Sequence, residues 1–391
     1  MSNLSHELIT LGGLLLLALC TDAIGRYTRL PRISLLVMLG FLLGPAAFNI
    51  IDPIGSTSFD FVALLALSMV GFLMGGKLSL RVLHRSGRLI LWISITQVLV
   101  TFAVVAAGLL IFSFPIATSL LLAAIATATD PAATLDAIKE TGKTSPFTDI
   151  LTGVVAIDDA WGLIMFSIAL IAIQVISSAS VDNGVVTHIV SELFGAILLG
   201  AILGLPMALL SGRIRKGQPT LMEAAGSVMV CAGMAEWLGV SHLLACVTMG
   251  ITVTNVARHH TRPFHAVEEI EWPFLALFFI FSGAYLTFES ISTAGMLLFA
   301  YIVLRISGRL LGGAIAGTPA TVETMPARWL GAAMLPQAGV AMAMAFQAIS
   351  LFPELKDSLL PTVIAATAIF ELIGPLTTRW VLSKQPLNPT L

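Results

Sequence analysis

Charged side chains are scarce in this sequence. Asp, Glu, Lys and Arg make up 11% of the 391 residues, whereas a soluble domain has about 25%. Hydrophobic residues make up 57%, and the mean hydropathy is +0.96. This composition excludes an ordinary soluble domain and predicts an all-α polytopic membrane protein.

Cysteine is equally rare. Cys20, Cys231 and Cys246 are scattered, with no CxxC and no Cys/His spacing, which excludes the usual zinc and haem motifs. We expect them to fill small spaces in the core. The first seven residues lack a basic region and a small-residue cleavage site, so no cleaved signal peptide is expected.

Apolar segments of membrane-spanning length follow one another along the chain, separated by short breaks rich in Gly, Pro and charge. We predict 13 of them and no long soluble domain before or after them. Their approximate spans are 8–25, 33–49, 59–76, 89–112, 115–139, 148–176, 187–210, 219–238, 241–257, 272–288, 292–315, 327–350 and 358–381.

Basic residues indicate the orientation, because cytoplasmic loops carry an excess of Lys and Arg. With alternating loops, all but two of the 20 basic residues fall on one side, Arg309 among them. The exceptions are Lys356, on the other side, and Arg305, inside a segment. We therefore predict a multi-pass orientation with the N-terminus outside and the C-terminus in the cytoplasm.

The sixth segment carries two adjacent carboxylates, Asp158 and Asp159, about ten residues from its start. That depth is near the midplane of a bilayer, where a carboxylate costs at least about 2.5 kcal/mol by insertion scales. The pair must therefore face a watered cavity, find a cationic partner or take up a proton. Each of these requirements is typical of an ion or proton pathway.

The fifth segment contains Asp130 followed by Pro131, also near the midplane. Asp before Pro is typical of a helix N-cap with Pro at the first helical position. We predict a helix that stops and restarts in mid-membrane, which is tolerated only where the backbone is buried or lines a cavity. An ordinary proline kink is the structural alternative.

A counterpart occurs in the twelfth segment, where Pro336, Gln337 and Gly339 interrupt the apolar run. Broken helices at corresponding positions indicate two inverted repeats with a site where the breaks cross. Asp130 would balance the positive helix ends there, and Gln337 would satisfy freed carbonyls. A buried amide that merely bridges two helices is the alternative for Gln337.

Arg305 lies about thirteen residues into the eleventh segment and stays charged. It needs a carboxylate, so we predict that it pairs with Asp158 or Asp159 while the other faces the cavity. A purely structural pair is compatible with this arrangement. Glu371, in the last segment, is expected to line an inner funnel or to cap a kink near Pro375.

These residues resemble the monovalent cation/proton antiporter superfamily, specifically its second cation–proton antiporter group of bacterial sodium/proton exchangers and potassium-efflux membrane domains. The resemblance covers nearly the whole chain. It is carried by Thr129-Asp130-Pro131, Asp158-Asp159, Arg305, Leu335-Pro336-Gln337-Ala338-Gly339, Phe370-Glu371-Leu372-Ile373-Gly374-Pro375, Arg262-Pro263-Phe264 and Phe278 to Ala284.

The resemblance implies a homodimeric transporter in the lipid of the inner membrane of a prokaryote, without enzyme activity, cofactor or nucleic-acid partner. It implies a dimerisation part over about 1–86 and 217–290, and a core transport part over about 87–180 and 291–391. A connector helix would lie over about 187–212. The core would slide against the dimerisation part, in an elevator mechanism.

The implied site has Asp159 as the carboxylate that binds either cation or proton, and Asp158 as the second acidic position. Thr129, Asp130, Pro131 and Gln337 form the crossing, with Arg305 as ion-pair partner. Sodium would be held by Asp159, Asp158 and Thr129, since hard cations prefer oxygen ligands. Exchange should switch on with rising pH, because protons compete with the cation for one carboxylate.

Sodium or lithium exchange is expected, and it is expected to be electrogenic through both aspartates. One departure from the family pattern bears on the stoichiometry. The departure is that Asp-Asp occurs here with Arg305, where some relatives carry a lysine.

 The stoichiometry that follows from this combination is therefore a prediction to be tested.

Several other functions fit parts of the pattern. Potassium/proton antiport is the main alternative, although no C-terminal nucleotide-binding domain of a gated efflux system is evident. A sodium-coupled organic anion symporter of similar fold is more remote, because Asp158 and Asp159 oppose anions. An intramembrane aspartyl protease would need a Gly-x-Gly-Asp sequence, which is missing. A scaffold that has lost transport would not need intact carboxylates.

Overall fold

The protein is described here by a computed structural model that covers residues 3–28, 32–51, 57–77, 87–141, 145–177, 183–210, 220–257, 261–317, 328–337 and 339–384. These residues form α-helices joined by short turns, with one 3-10 turn at Pro353–Leu355 and no strand in the described ranges. In chain order the helices are α1 (Asn3–Thr28), α2 (Arg32–Leu43), α3 (Thr57–Lys77), α4 (Gly87–Ile111), α5 (Ile116–Ile125), α6 (Pro131–Thr141), α7 (Pro146–Ser177), α8 (Asn183–Leu210), α9 (Thr220–Leu238), α10 (His242–Val256), α11 (Thr261–Ala284), α12 (Phe288–Ala316), α13 (Arg328–Ala333), α14 (Gly339–Leu351) and α15 (Lys356–Ser383).

Each of the 13 predicted segments contains helix, so the all-helical prediction is confirmed. The fifth and twelfth segments are each split in two, as the Asp-Pro and Pro-Gln-Ala-Gly sequences predict. Some boundaries differ from the prediction. The helix of the second segment ends at Leu43 rather than at about 49. The tenth segment begins at Thr261 rather than at about 272, because the helix continues through polar turns that a hydropathy pattern leaves out.

Five of the described helical stretches are long and apolar enough to cross a bilayer, judged by length and composition. They are Glu7–Gly25, Gly87–Ile111, Leu221–Leu238, Ala294–Ala316 and Pro353–Ser383. The shorter apolar helices include one half-helix at each break, α5 (Ile116–Ile125) and α14 (Gly339–Leu351). Because a half-helix has about ten residues, two of them in line are needed to span the hydrocarbon.

The chain forms two compact units. The first consists of Met1–Thr28, Leu36–His84 and Gln174–Tyr285. Within it, α10 packs between α3 and α8, and small residues bring the backbones close together. A Cβ added at Gly250 would collide with the Phe72 carbonyl, and one at Gly75 with the Val247 carbonyl. This glycine packing is typical of membrane helices, which gain contact area through small residues.

The second unit consists of Arg29–Leu35, Arg85–Ile173 and Leu286–Leu391. Here α12 packs along α4, and α15 packs against α12, α6, α13 and α14. Both broken segments and the Asp158-Asp159 turn of α7 belong to this unit. The assignment of dimerisation to one part of the chain and transport to another stays a prediction, and it is taken up below.

Candidate functional site

The first break lies between α5, which ends at Ile125, and α6, which begins at Pro131. The Thr134 N–H donates to the Asp130 carbonyl at 3.2 Å, which is the first hydrogen bond of the new helix. Asp130 is therefore the N-cap residue and Pro131 the first helical residue, as the sequence predicts. Residues 121–129 are all buried, so the non-helical backbone is enclosed by protein.

The second break lies between α13, which ends at Ala333, and α14, which begins at Gly339. The two breaks meet, because the Asp130 N–H donates to the Pro336 carbonyl at 3.0 Å. The Thr378 hydroxyl of α15 donates to the Ala333 carbonyl at 2.9 Å. The predicted crossing is thus present, and α15 supports it from one side.

Arg305 of α12 holds both breaks together. Its side chain is fully buried. Its Nε donates to the Ala126 carbonyl at 3.2 Å, its Nη2 to the Ala128 carbonyl at 2.9 Å and its Nη1 to the Leu335 carbonyl at 2.8 Å. The guanidinium also lies 4.2 Å from the centre of the Phe370 ring. One cation therefore satisfies carbonyls from both interrupted helices, where the helix ends carry negative partial charge.

Arg309 follows one helical turn later and forms the ion pair of the site. Its Nη1 lies 3.2 Å from Oδ2 of Asp158, and both side chains are fully buried. Its Nη2 donates to the carbonyls of Ala126 and Thr127. The same Oδ2 accepts the Thr129 hydroxyl at 3.0 Å. Asp158 is thereby attached to the first break through a cation and a hydroxyl.

This arrangement corrects one of the two predicted pairings of Arg305, the one with Asp158. The sequence analysis paired Arg305 with Asp158 or Asp159 and placed Arg309 among the loop cations. Among the described side chains, it is Arg309 that pairs with Asp158, while Arg305 is occupied by three carbonyls. The spacing of four residues between Arg305 and Arg309 could have indicated the role of Arg309, since it puts both arginines on one face of α12. The side chain of Asp159 lies outside the described residues.

Gln337 also differs from its predicted role. It is fully buried, and its Nε2 donates to the Tyr301 hydroxyl at 3.1 Å. The freed carbonyls that it was expected to satisfy are bound by the two arginines instead. Tyr301 was not identified from the sequence, although it precedes Arg305 by four residues on the same helix face.

Glu371 of α15 is 5% exposed, and its Oε2 lies 3.2 Å from the Ser34 hydroxyl at the start of α2. This contact differs from the expected kink cap at Pro375, because the carboxylate reaches another helix. Whether Glu371 lines an inner funnel stays a prediction.

The site has oxygen atoms that could bind a hard cation. Oδ1 of Asp158 and Oε1 of Gln337 are buried and accept no hydrogen bond from the described groups. The Thr129 hydroxyl donates to Asp158 and keeps its lone pairs. By contrast, the carbonyls of Ala126, Ala128 and Leu335 are already bound by arginine. Carboxylate, amide and hydroxyl oxygens are therefore the ligands that this crossing offers.

The close contact between α15 and the second break leads to a first prediction. A Cβ added at Gly374 would lie 2.5 Å from the Pro336 Cα, which is backbone and cannot move aside. We expect Gly374→Ala to destabilise the protein by about 1–3 kcal/mol through overpacking. The measurement is thermal unfolding of the purified protein in detergent.

Gly295→Ala is the matched control, because a Cβ at Gly295 meets nothing within 4 Å. Alanine is favoured over glycine in a helix by up to about 1 kcal/mol, so this variant should be as stable as the parent or more so. Equal melting temperatures for the two variants would show that α15 does not pack tightly on the break.

Comparison with known proteins bears on this assembly. The family model for the transmembrane part of sodium/hydrogen exchangers matches residues 13–384. The chain belongs to the sodium/hydrogen exchanger family. Members of this family are monovalent cation/proton antiporters, which are transporters rather than enzymes and need no cofactor. In this chain the two crossed breaks and the buried Arg309–Asp158 pair lie together in the second unit.

Relatives of known activity differ in the cation they are named for. The chain is 23% identical to the K(+)/H(+) antiporter subunit KhtU of Bacillus subtilis, over 96% of this chain and 94% of that protein. It is 23% identical to the ammonium/H(+) antiporter subunit AmhT of Alkalihalophilus pseudofirmus, over 80% and 78%. It is 28% identical to the Na(+)/H(+) antiporter NhaP of Pseudomonas aeruginosa, over 36% and 33%.

The fold is that of a solved antiporter. The structure of the sodium proton antiporter MjNhaP1 from Methanocaldococcus jannaschii matches with a TM-score of 0.71 and 18% sequence identity, over 97% of this chain and 95% of that one. At this identity the likeness establishes the fold, and the cation carried by this chain has to be argued separately.

Proposed function

We propose that this antiporter exchanges a monovalent cation for protons at the Asp158-Asp159 turn, where the two breaks cross. The observation that carries the proposal is the buried assembly of Thr129, Asp158 and Arg309 at the first break. It places a fixed carboxylate beside the backbone of Asp159. Asp159 would then be the carboxylate that binds either cation or proton, as the family resemblance implies.

A single exchanging carboxylate follows from the contacts of Asp158. The sequence-based expectation of electrogenic exchange requires both aspartates to release and take up protons. Protonation of Asp158 would leave the Arg309 charge buried without its partner, which is strongly unfavourable. The pair therefore supports one-for-one exchange through Asp159, with Asp158 as a ligand whose charge Arg309 balances.

There are two candidates for the identity of the transported cation. Sodium or lithium is the expectation from the sequence, and hard oxygen ligands suit either ion. Potassium is the second candidate, and ammonium resembles it in size and charge. The observation that favours this second group is that the sequences of KhtU and AmhT match over most of their length, whereas that of the sodium antiporter NhaP matches over a third. The sodium antiporter MjNhaP1 matches over 95% of its length, but at 18% identity this likeness concerns the fold.

The remaining parts of the mechanism follow the same proposal. The unit that holds both breaks would carry the ion by sliding in an elevator mechanism, and the other unit would form the homodimer. The near-complete segregation of Lys and Arg supports an inner membrane orientation with the N-terminus outside and the C-terminus in the cytoplasm.

The test is exchange in proteoliposomes that contain a pH-sensitive dye. Sodium, lithium, potassium and ammonium are compared from pH 6 to 9, each against protein-free liposomes because ammonia crosses lipid unaided. We expect Asp159→Asn to abolish the response to every cation. Asp149→Asn is the matched control, since Asp149 is an exposed carboxylate on the same helix, and it should exchange like the parent.

The outcomes separate the candidates. A response to sodium or lithium alone identifies the first, and a response to potassium or ammonium identifies the second. An imposed membrane potential should leave the initial rate unchanged if exchange is one for one. Exchange that persists in Asp159→Asn would contradict the proposed site.

A further inference from the structure

Glu371 is a buried carboxylate that the exchange chemistry above does not use. It lies in the second unit, on α15, and its Oε2 is 3.2 Å from the Ser34 hydroxyl. The backbone N–H groups of Ile33 and Ser34 also donate to the Glu371 carboxylate. All these donors belong to the first turn of α2, which begins at Arg32.

The first turn of a helix has unsatisfied N–H groups and a positive partial charge, so a carboxylate there is doubly favourable. The usual partner is the N-cap side chain of the helix itself. In this protein the partner is Glu371, which comes from a helix more than 300 residues away in the sequence. The Ser34 hydroxyl lies 3.2 Å from the Ala368 carbonyl as well, and it donates to one of the two oxygens at a time.

The contact matters because α2 contributes residues to both compact units. The boundary between the two compact units falls within α2, between Leu35 and Leu36. From Leu36 onward α2 packs in the first unit, where a Cβ at Gly40 would collide with the Ile280 carbonyl of α11. Glu371 therefore fixes the one turn of α2 that belongs to the unit with the crossed breaks.

Glu371 also interacts electrostatically with a residue of the crossing. The charge of Asp130, the N-cap of α6, opposes the charge of Glu371. Among the described groups, Asp130 is the titratable neighbour that acts on it, while Arg32 on the same turn of α2 is exposed.

We propose that Glu371 is a positioning residue that anchors the first turn of α2 to the transport core, and that its protonation in acid releases this turn and slows exchange. The proposal rests on antiport as the function. The sign follows from the donors: two N–H groups and a hydroxyl bind the charged carboxylate best, so the anchor is complete at high pH and is lost as pH falls.

Hydrogen–deuterium exchange tests the anchor without relying on transport. Peptides that cover α2 are compared at pD 8 in the parent and in Glu371→Gln, and rates are divided by the intrinsic chemical rates. We expect the start of α2 to exchange about tenfold faster in Glu371→Gln, because charge-assisted hydrogen bonds are lost. Glu354→Gln is the control, since Glu354 is exposed and precedes the same helix.

Transport at saturating cation gives the second readout. Proton competition at Asp159 raises the apparent KM in acid, whereas release of α2 lowers the maximal rate. We expect the maximal rate of Glu371→Gln at pH 8 to fall to that of the parent at pH 6, and to vary little with pH. Glu371→Asp keeps the charge and should retain part of the pH dependence.

The results also separate this proposal from the antiport site. Asp159→Asn should abolish exchange while leaving protection of α2 intact. A parent-like pH profile of the maximal rate in Glu371→Gln, or unchanged protection of α2, would overturn the anchor. If Glu371→Gln does not fold, the parent protein decides the question, because protection of α2 must fall between pD 8 and pD 5.5 after correction for chemical exchange.

Discussion

Arg309→Met is expected to destabilise the protein by about 3–5 kcal/mol and to abolish exchange. The substitution preserves most of the side-chain volume but leaves the fully buried Asp158 carboxylate without its cation. The carbonyls of Ala126 and Thr127 lose a donor at the same time. Thermal unfolding in detergent and dye-based exchange in proteoliposomes measure the two effects.

The double variant Arg309→Met/Asp158→Asn tests whether the unpaired Asp158 charge causes this destabilisation. Asparagine is neutral and can still accept the Thr129 hydroxyl, so the uncompensated charge disappears. We expect the double variant to melt at a higher temperature than Arg309→Met alone, with a coupling of about 1–3 kcal/mol. If the effects of the two substitutions on the free energy of unfolding are additive, the Arg309–Asp158 pair contributes no interaction free energy.

The second large effect is expected for Arg305→Met. This substitution removes the Arg305 donors to the carbonyls of Ala126, Ala128 and Leu335. The Ala126 carbonyl keeps its bond from Arg309, and the other two lose the donor that Arg305 supplies. A buried carbonyl without a donor costs about 1–3 kcal/mol, so the crossing should lose several kcal/mol and exchange should stop. Arg305→Lys keeps the charge but has no planar fork that reaches both breaks, and it should restore little.

The two arginines are distinguished by their response to Asp158→Asn. Since Arg305 binds carbonyls rather than Asp158, Arg305→Met/Asp158→Asn should be no more stable than Arg305→Met. A pairing of Arg305 with Asp158, one of the two pairings that the sequence left open, requires the reverse, namely rescue of Arg305→Met and no rescue of Arg309→Met. Melting temperatures of the four variants therefore decide between the two assignments.

Several features of the site follow from local sequence, and the reason is chemical. Asp130 before Pro131 predicts the first break, because proline lacks an N–H and aspartate is a good N-cap. Pro336 and Gly339 predict the second break in the same way. Asp158 and Arg305 stand out because a charge inside an apolar segment is costly and must have a partner.

The choice of partners could not be obtained in this way. Arg305 and Arg309 are both arginines on one face of α12, and each could reach a carboxylate or a carbonyl. The sequence pattern treated Arg309 as a loop cation, because basic residues near segment ends usually lie outside the membrane. Only the positions of α7 and of the two breaks around α12 place Arg309 at Asp158 and Arg305 at the carbonyls.

By itself, the sequence determined the helical architecture, the two breaks and the charged residues near the midplane. These follow from hydropathy, proline chemistry and the cost of burying charge, all of which act over a few residues. The tertiary structure alone decided which cation pairs with Asp158, which groups satisfy the freed carbonyls, and that Glu371 binds the start of α2. Such pairings join residues far apart in the chain, and they depend on distances that only the packed helices define.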